Sequence, residues 1–368
     1  MKIILLSGGS GKRLWPLSND VRSKQFLQLL ETPDGRRESM IQRVVRQIKA
    51  TGHADGIVVA TGEAQKEYVT AQLGRNIGVV TEPCRRDTFP AIALSCSYLA
   101  SKGTSMEEPV IVMPCDTFAD DSYFQTVCRM AEAVDAGCAE LVLMGITPTY
   151  PSEKYGYIVP VKNAQCTAKN AQCTMHNAQL LRDAGDAPRR RPYPDNDENN
   201  ENDENVENGQ QAMPVERFTE KPDVKTAEQL LAQGALWNGG VFAFRLGYLM
   251  QILEKYMPGK TFNQIHAHYE DFPKISFDYE VVEKAKSVAV VPYTGEWRDL
   301  GTWNTLTEKL PSQTSGNAKL FDSENTHIVN ELGIPVIGLG LKDLVIVVSP
   351  EGILVSDKTS SEKLKSLL

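Results

Sequence analysis

Between residues 2 and 146, short apolar runs alternate with stretches whose apolar residues recur every three or four positions. The runs are Lys2–Leu6, the segment GIVVAT, Ile77–Thr81, Val110–Met113 and Glu140–Ile146. The intervening stretches Ser39–Ala50, Ala64–Leu73, Pro90–Lys102 and Tyr123–Ala136 have helical spacing; Met40, Val44, Val45 and Ile48 mark one face of the first. A β-α-β rhythm of this kind predicts an α/β fold: a Rossmann-like, mainly parallel sheet with helices on both faces. Ligands of such sheets bind outside the carboxyl ends of the strands. The glycine-rich turn after Leu6 and the acidic turn after Met113 both fall on that edge.

The turn reads SGGSGKRLWPLSNDVRSKQF over residues 7–26. A Walker-type loop requires a glycine five positions after Gly8, where Arg13 stands. A dinucleotide fingerprint starting at Gly9 and Gly11 would place its third glycine at Leu14, and Trp15-Pro16 blocks the helix that should follow. What remains is a strand followed by bare backbone N–H groups, with Arg13, Arg22 and Lys24 supplying full charges: a cradle for a highly charged anion such as a triphosphate. A solvated surface turn is the competing reading of the loop alone.

At 368 residues the chain is long enough for a large core and a second, smaller unit. A formal charge of −8 argues against a general nucleic-acid binder. Part of that charge is local, because Asp195–Asn208 carries seven carboxylates and no basic residue. The seven cysteines include no C-x-x-C pair, which suggests reduced thiols and not a zinc site. His266 and His268 lack companions at ligand spacing. The apolar run Ile3–Leu6 is too short for a signal peptide, and no stretch approaches the roughly 20 apolar residues of a membrane span. The expected compartment is the cytoplasm, with no membrane partner.

The alternation breaks over 163–213. A seven-residue unit recurs from Asn163, Asn170 and Asn177, followed by three arginines and the acidic tract. So few apolar residues cannot offset ordering entropy by burial, so this segment is expected to be a disordered insert in a domain spanning 1–314. From 315 to 368, short strand-like runs (HIVNE, IPVIGLG, LVIVVSPEGILVSD) predict a small β unit ending in a helix over Ser360–Leu368, without an obvious catalytic cluster.

Four islands carry candidate chemistry. Asp116 ends a buried run, where a divalent cation bound to phosphate oxygens would offset the cost of an unpaired carboxylate. Asp299 lies in the turn Glu296-Trp-Arg-Asp-Leu-Gly301, far away in sequence, so only a fold can join the two. Glu220-Lys221 precedes Pro222, and Asn238 precedes two glycines. Carboxylate and carboxamide suit sugar hydroxyls, and the ammonium suits a phosphate; the plain alternative for Glu220-Lys221 is a surface ion pair worth under about 1 kcal/mol.

The ordered set GGSGKRLWPLS, KQF, EPCRRDT, MPCDTF, YGYI, FTEKPD, WNGGVFAF, FDYEVVEKA and EWRDLGTW resembles the mannose-1-phosphate guanylyltransferases of the sugar-phosphate nucleotidyltransferase superfamily, across the chain except the insert. The resemblance implies transfer of a guanylyl group from GTP to α-D-mannose 1-phosphate, giving GDP-mannose and pyrophosphate with Mg²⁺. It further implies that Leu6, Gly8, Gly9 and Gly11 hold the nucleotide, that Arg13 and Lys24 stabilise the triphosphate, and that Asp116 and Asp299 hold the metal. Glu82, Arg86, Asp87 and Thr88 lie where the family reads the base; Gly156, Glu220, Lys221 and Asn238 would take the sugar phosphate. The tail resembles the family's short left-handed β-helix, which supports homodimer contacts, and no isomerase domain is expected at this length. Lys12, Ser23, Cys115 and Gly239 depart from the family pattern, none at a charged catalytic position. The insert, lying between two sugar-site motifs, is expected to leave the sheet near the acceptor pocket. Rival readings are the same chemistry on another pair, as in a heptose 1-phosphate guanylyltransferase or a glucose 1-phosphate thymidylyltransferase, and a silent sugar-nucleotide sensor.

Overall fold

A computed structural model of the chain describes residues 1–9, 12–161 and 211–368. Gly11 and the repeat and acidic tract of the insert lie outside the described residues.

The periodicity of the first 146 residues translates directly into elements. Strand β1 (Lys2–Ser7) is followed by a small ribbon, β2 (Leu30–Glu31) and β3 (Arg37–Glu38), and by helix α1 (Met40–Ala50). Ser39 starts α1 through a reciprocal capping box with Gln42. Next come β4 (Ile57–Gly62), α2 (Lys66–Leu73), β5 (Gly78–Glu82), α3 (Thr88–Ser101) and β6 (Pro109–Pro114). Beyond β6 lie a short strand β7 (Thr117–Ala119), α4 (Asp121–Asp135) and β8 (Leu141–Ile146). The second half contributes β9 (Tyr157–Pro160), β10 (Met213–Thr219), α5 (Val224–Ala232), β11 (Leu236–Arg245), α6 (Leu246–Tyr256) and α7 (Phe262–Ala267). It closes with β12 (Val288–Tyr293), β13 (Trp297–Asp299) and α8 (Trp303–Thr307).

Nine strands form one sheet in the order β5-β4-β1-β6-β11-β8-β12-β10-β9. The first four are mutually parallel, as the βαβ rhythm requires. The other half is mixed: β11 runs antiparallel to β6, β8 and β9, and β10 antiparallel to β12 and β9, while β8 and β12 are parallel. The expectation of a mainly parallel sheet therefore describes one half only. Apolar runs show that a strand is buried on both faces but carry no sign of its direction, which is set by the connections. Successive residues of β1 serve opposite cores, Ile3 and Leu5 on one face and Ile4 on the other.

The C-terminal residues form β14 (Thr314–Ser315), β15 (Ala318–Phe321), β16 (His327–Asn330), β17 (Val336–Leu339), β18 (Leu344–Ser349), β19 (Gly352–Asp357) and a terminal turn α9 (Leu364–Leu367). Strands β14, β16 and β18 stack in parallel with β19 antiparallel at the end, and β15 pairs in parallel with β17. The chain thus alternates between two parallel walls. Val329, Val345, Val347 and Leu364 share a buried cluster with Leu14 and Leu17 of the opening loop, so this unit packs on the loop itself. No helix among the described residues is long and apolar enough to cross a membrane.

Candidate functional site

The site begins where four parallel strands end. The glycine turn after β1, Gly62–Gln65 after β4 and Glu82–Thr88 after β5 enclose a cleft of about 630 Å³ lined by Leu6, Gly8, Gly9, Glu82, Arg86, Asp87 and Thr88. All of the residues expected to hold the nucleotide line it, except Gly11, which is not described. A larger depression of about 800 Å³, lined by Met106, Arg245 and Lys286, contains none of the predicted groups. A Cβ added at Gly9 would meet no atom of the described residues within 4 Å. What a side chain would obstruct is the cleft. Asp87 caps α3 by accepting from the Thr88 N–H at 2.8 Å and holds φ at 68°, a backbone region costly for any residue but glycine.

Residues that the sequence did not single out hold the glycine turn in place. Gln25 Nε2 donates to the Ser7 carbonyl at 3.0 Å, Arg85 Nη2 to the Gly9 carbonyl at 3.2 Å, and Gln65 Nε2 to the Asp20 carbonyl at 3.2 Å. Gln25 closes the turn on itself, while Gln65 and Arg85 reach it from the segments after β4 and β5, with no local spacing to betray any of them. Tyr269 O–H donates to Glu82 Oε2 at 2.7 Å. Burial raises the Glu82 carboxyl above its ordinary value, and the tyrosine hydrogen bond opposes that rise.

At the end of β6 the two distant aspartates meet. Strand β13 pairs antiparallel with β7 in a register that sets Asp299 opposite Thr117, beside Asp116. The Lys24 ammonium lies between them, 2.8 Å from Asp116 Oδ2 and 3.2 Å from Asp299 Oδ1. Burial by itself would depress Lys24, but the two carboxylates outweigh it and hold the ammonium above its ordinary range. Arg13 completes the group: a Cβ added at Gly301 would fall 2.9 Å from Asp299 Oδ1 and 3.3 Å from Arg13 Nη1. Arg22, expected to face the anion, instead pairs with Glu331 of the C-terminal unit through two hydrogen bonds of 2.8 and 2.9 Å.

The third group assembles on the mixed half. Gly156, Glu220, Lys221 and Asn238 come together around the ends of β9, β10 and β11: the Asn238 N–H donates to the Gly156 carbonyl at 2.7 Å, and a Cβ at Gly156 would lie 2.5 Å from Glu220 Oε2. Lys221 Nζ is 2.6 Å from Glu220 Oε1; the Lys221 side chain is 57% exposed, but that of Glu220 is only 6% exposed, and its Oε2 is buried with no hydrogen-bond partner among the described residues. The pair is therefore superficial at the lysine only, because a carboxylate oxygen buried without a partner is costly to leave unsatisfied. Lys221 sits at φ 42°, a second strained non-glycine. Asn238 Nδ2 donates to Asp278 Oδ1 at 2.7 Å. Burial first, then the charge of Glu220, pushes the Asp278 carboxyl up to about 6. Asp278 stands within the motif FDYEVVEKA but was assigned no role from sequence; it opens a π-helical turn over Asp278–Val282, a geometry that a periodicity reading cannot find.

Tyr155, Trp237 and Trp297 link the second and third groups, with ring centroids 4.8 to 6.4 Å apart. Each is a near neighbour in sequence of Gly156, Asn238 or Asp299. The insert leaves after Val161 and the chain returns at Gln211, at the Pro160–Val215 end of the β9–β10 hairpin. Gly156 and Glu220 flank the opposite, Tyr157–Thr219 end, so the insert's attachment points are not at the acceptor residues as expected.

The nucleotidyl transferase family model matches residues 2–168 and 202–315. The chain is 30% identical to the xanthan biosynthesis protein XanB of Xanthomonas campestris pv. campestris, over 99% of its own length and 72% of that protein. It is 28% identical to a mannose-1-phosphate guanylyltransferase of Escherichia coli, over 99% of this chain and 74% of the relative. A solved structure from Thermus thermophilus, described as a mannose-1-phosphate geranyltransferase, superposes with a TM-score of 0.72 at 25% identity, covering 100% of this chain and 97% of that one.

Proposed function

The chain belongs to the nucleotidyl transferase family, and on that premise we propose that this enzyme transfers a guanylyl group from GTP to α-D-mannose 1-phosphate, releasing pyrophosphate and GDP-mannose. The observation that carries the reading is the Lys24 ammonium held between Asp116 and Asp299 at the end of β6, the strand where the parallel half with its open cleft borders the mixed half with its partly buried acid–amide pocket. The cleft takes the nucleotide, with Glu82, Arg86, Asp87 and Thr88 at the base. The pocket takes the hexose, with Glu220 and Asn238 on its hydroxyls and Lys221 on its phosphate.

No protein nucleophile is required. The phosphate oxygen of the sugar is ionised near neutral pH and attacks the α-phosphorus of GTP in line, and the bond to pyrophosphate breaks. Two anions must be brought together, so the work of the protein is alignment and charge stabilisation. Arg13 and Lys24 face the triphosphate and the negative charge that builds on departing pyrophosphate. Two partly exposed carboxylates that share one ammonium fit Mg²⁺, which binds through one or two carboxylates plus substrate phosphates. Asp116 and Asp299 would hold it, and when bound it supplies charge neutralisation at the phosphates. The two parallel walls of the C-terminal unit support a short left-handed β-helix, and exposed Ile337, Leu339, Ile353 and Val355 support homodimer contacts through it.

The test is pyrophosphate release with Mg²⁺ across four NTPs and a panel of sugar 1-phosphates. Dominance of GTP with mannose 1-phosphate is expected, together with loss of turnover on chelation. Release with another pair alone would overturn the specificity, and no release with any pair would favour a binding protein.

A further inference from the structure

The C-terminal β unit packs on helix α8 and on the opening loop, and several of its contacts reach residues 12–22 of that loop. Ser349 Oγ donates to the Pro16 carbonyl at 3.0 Å. Gly352 lies so close to the Trp15 ring that a Cβ there would be 2.7 Å from it. Lys12 Nζ donates to the carbonyl of Leu368 at 3.1 Å; the Trp15 carbonyl is held separately by Trp303 Nε1 of α8, outside the C-terminal unit, at 3.0 Å. The strongest polar link is the two-pronged pair of Arg22 with Glu331, both side chains about one-third exposed. Glu331 follows directly on β16, and its N–H donates to the Val348 carbonyl at 2.8 Å, so the carboxylate is borne on ordered backbone.

Arg22 occupies a decisive position. Its own N–H donates to Asn19 Oδ1 at 2.7 Å and its carbonyl accepts from the Asn19 N–H at 3.0 Å, closing a tight turn over 19–22. Ser23 follows, with its Oγ donating to the Gly9 carbonyl at 3.3 Å, and then Lys24, whose ammonium joins Asp116 and Asp299. A guanidinium gripped by two parallel hydrogen bonds is fixed in both position and orientation.

We infer that Glu331 is a positioning residue for the phosphate loop: through Arg22 it sets the turn from which both the glycine backbone and the Lys24 ammonium are aimed. The C-terminal unit is on this account one wall of the catalytic loop and not an appended tail. The inference rests on the proposed reading of residues 7–26 as the triphosphate cradle.

The experiment uses the full chain, with Glu331→Gln, Glu331→Asp and the exchanged pair Arg22→Glu with Glu331→Arg, and has two readouts. Amide hydrogen exchange reports the order of residues 19–24 against residues 269–278 as an internal control. Steady-state kinetics with GTP, Mg²⁺ and mannose 1-phosphate separates kcat from the two KM values. For Glu331→Gln, exchange over 19–24 quickens and kcat falls by about tenfold, the scale of one charge-assisted hydrogen bond and short of the about 100-fold cost of a 1 Å misplacement. KM for mannose 1-phosphate and the unfolding midpoint stay at the wild-type values, and the aspartate and exchanged pairs recover part of the loss. Unchanged exchange and kcat in Glu331→Gln would overturn the inference. So would acceleration in both segments with a lowered midpoint and unchanged kcat per folded molecule, which is the signature of a merely structural pair. If the wild type turns over no GTP with mannose 1-phosphate, the functional reading fails, while the exchange data still decide whether Glu331 orders the loop.

Discussion

The parallel and the mixed halves of the sheet build their parts of the site differently. On the parallel half the functional groups ride on loops that leave adjacent strand ends, and the cleft is open, with glycines and charged residues set among small apolar ones such as Ala60, Ala64 and Ala91. On the mixed half they stand at the ends of antiparallel strands in a buried pocket, where Glu220, Asn238 and Asp278 satisfy or burden one another. The first arrangement suits a large, highly charged ligand that brings its own counter-ions. The second suits a hydroxylated ring, whose recognition depends on fixed acceptors and on leaving nothing unpaired once it is bound. Lys24, Asp116 and Asp299 gather at the end of β6, the strand of the parallel half that borders the mixed one.

The comparison breaks most visibly at that junction. Lys24→Ala removes the cation aimed at departing charge and should lower kcat by about 10²–10³-fold, the scale for loss of one preorganised donor. Pyrophosphate release measures it, with circular dichroism confirming an unchanged fold. A loss confined to KM would mean that Lys24 serves ground-state binding only.

Gly156→Ala separates the halves. Its Cβ would sit 2.5 Å from Glu220 Oε2 and 3.0 Å from Phe218 Cζ. Overpacking of about 1–3 kcal/mol should raise KM for mannose 1-phosphate by about 10–100-fold. Calorimetric affinity for Mg-GTP should not change; if it weakens equally, the two subsites are not independent.

Asp278 sharpens the contrast in electrostatics. Its folded-state value of about 6 lies above the ordinary carboxylate value, so the folded chain holds this proton more tightly than the unfolded chain does. The stabilising contribution is full below about pH 4 and is lost as pH rises through about 6. In Asp278→Asn, which keeps an acceptor for Asn238, that limb disappears. Denaturant unfolding from pH 4 to 8 should show the wild type losing about 1–3 kcal/mol relative to the variant. Parallel curves would place Asp278 in a solvated setting.

The smallest effect is expected in the open cleft. Tyr269→Phe leaves Glu82 without its partner, and KM for GTP should rise by several-fold, equivalent to about 1 kcal/mol for one hydrogen bond, with KM for the sugar phosphate unchanged. An effect on the sugar alone would reassign Glu82.

What could be read from the sequence follows the same division. Helix α1, strand β6 and the glycine turn were legible because their signals are local: helical spacing of apolar residues, an unbroken apolar run, a run of glycines after a strand. Glu82, Arg86, Asp87 and Thr88 were named only through the family resemblance, and the structure sets them around one cleft with the glycine turn. Strand direction in β10 and β11 was not legible; the meeting of Asp116 with Asp299 was implied by the resemblance alone, because no local signal shows the ribbon between β7 and β13 that brings it about. Arg22 was read as facing the anion because the sequence shows a cation near glycines and cannot show Glu331 waiting 309 residues later. Asp278 and Tyr269 escaped because their partners, Asn238 and Glu82, are far away in sequence.

The central claim is that one substrate occupies each half and that they react at the junction. The most direct measurement is a crystal structure with Mg²⁺ and GDP-mannose. The account predicts guanine in the cleft beside Glu82 and Thr88, mannose between Glu220 and Asn238, and the metal on Asp116 and Asp299. A sugar ring bound away from Glu220, or a nucleotide outside the glycine cleft, would contradict it.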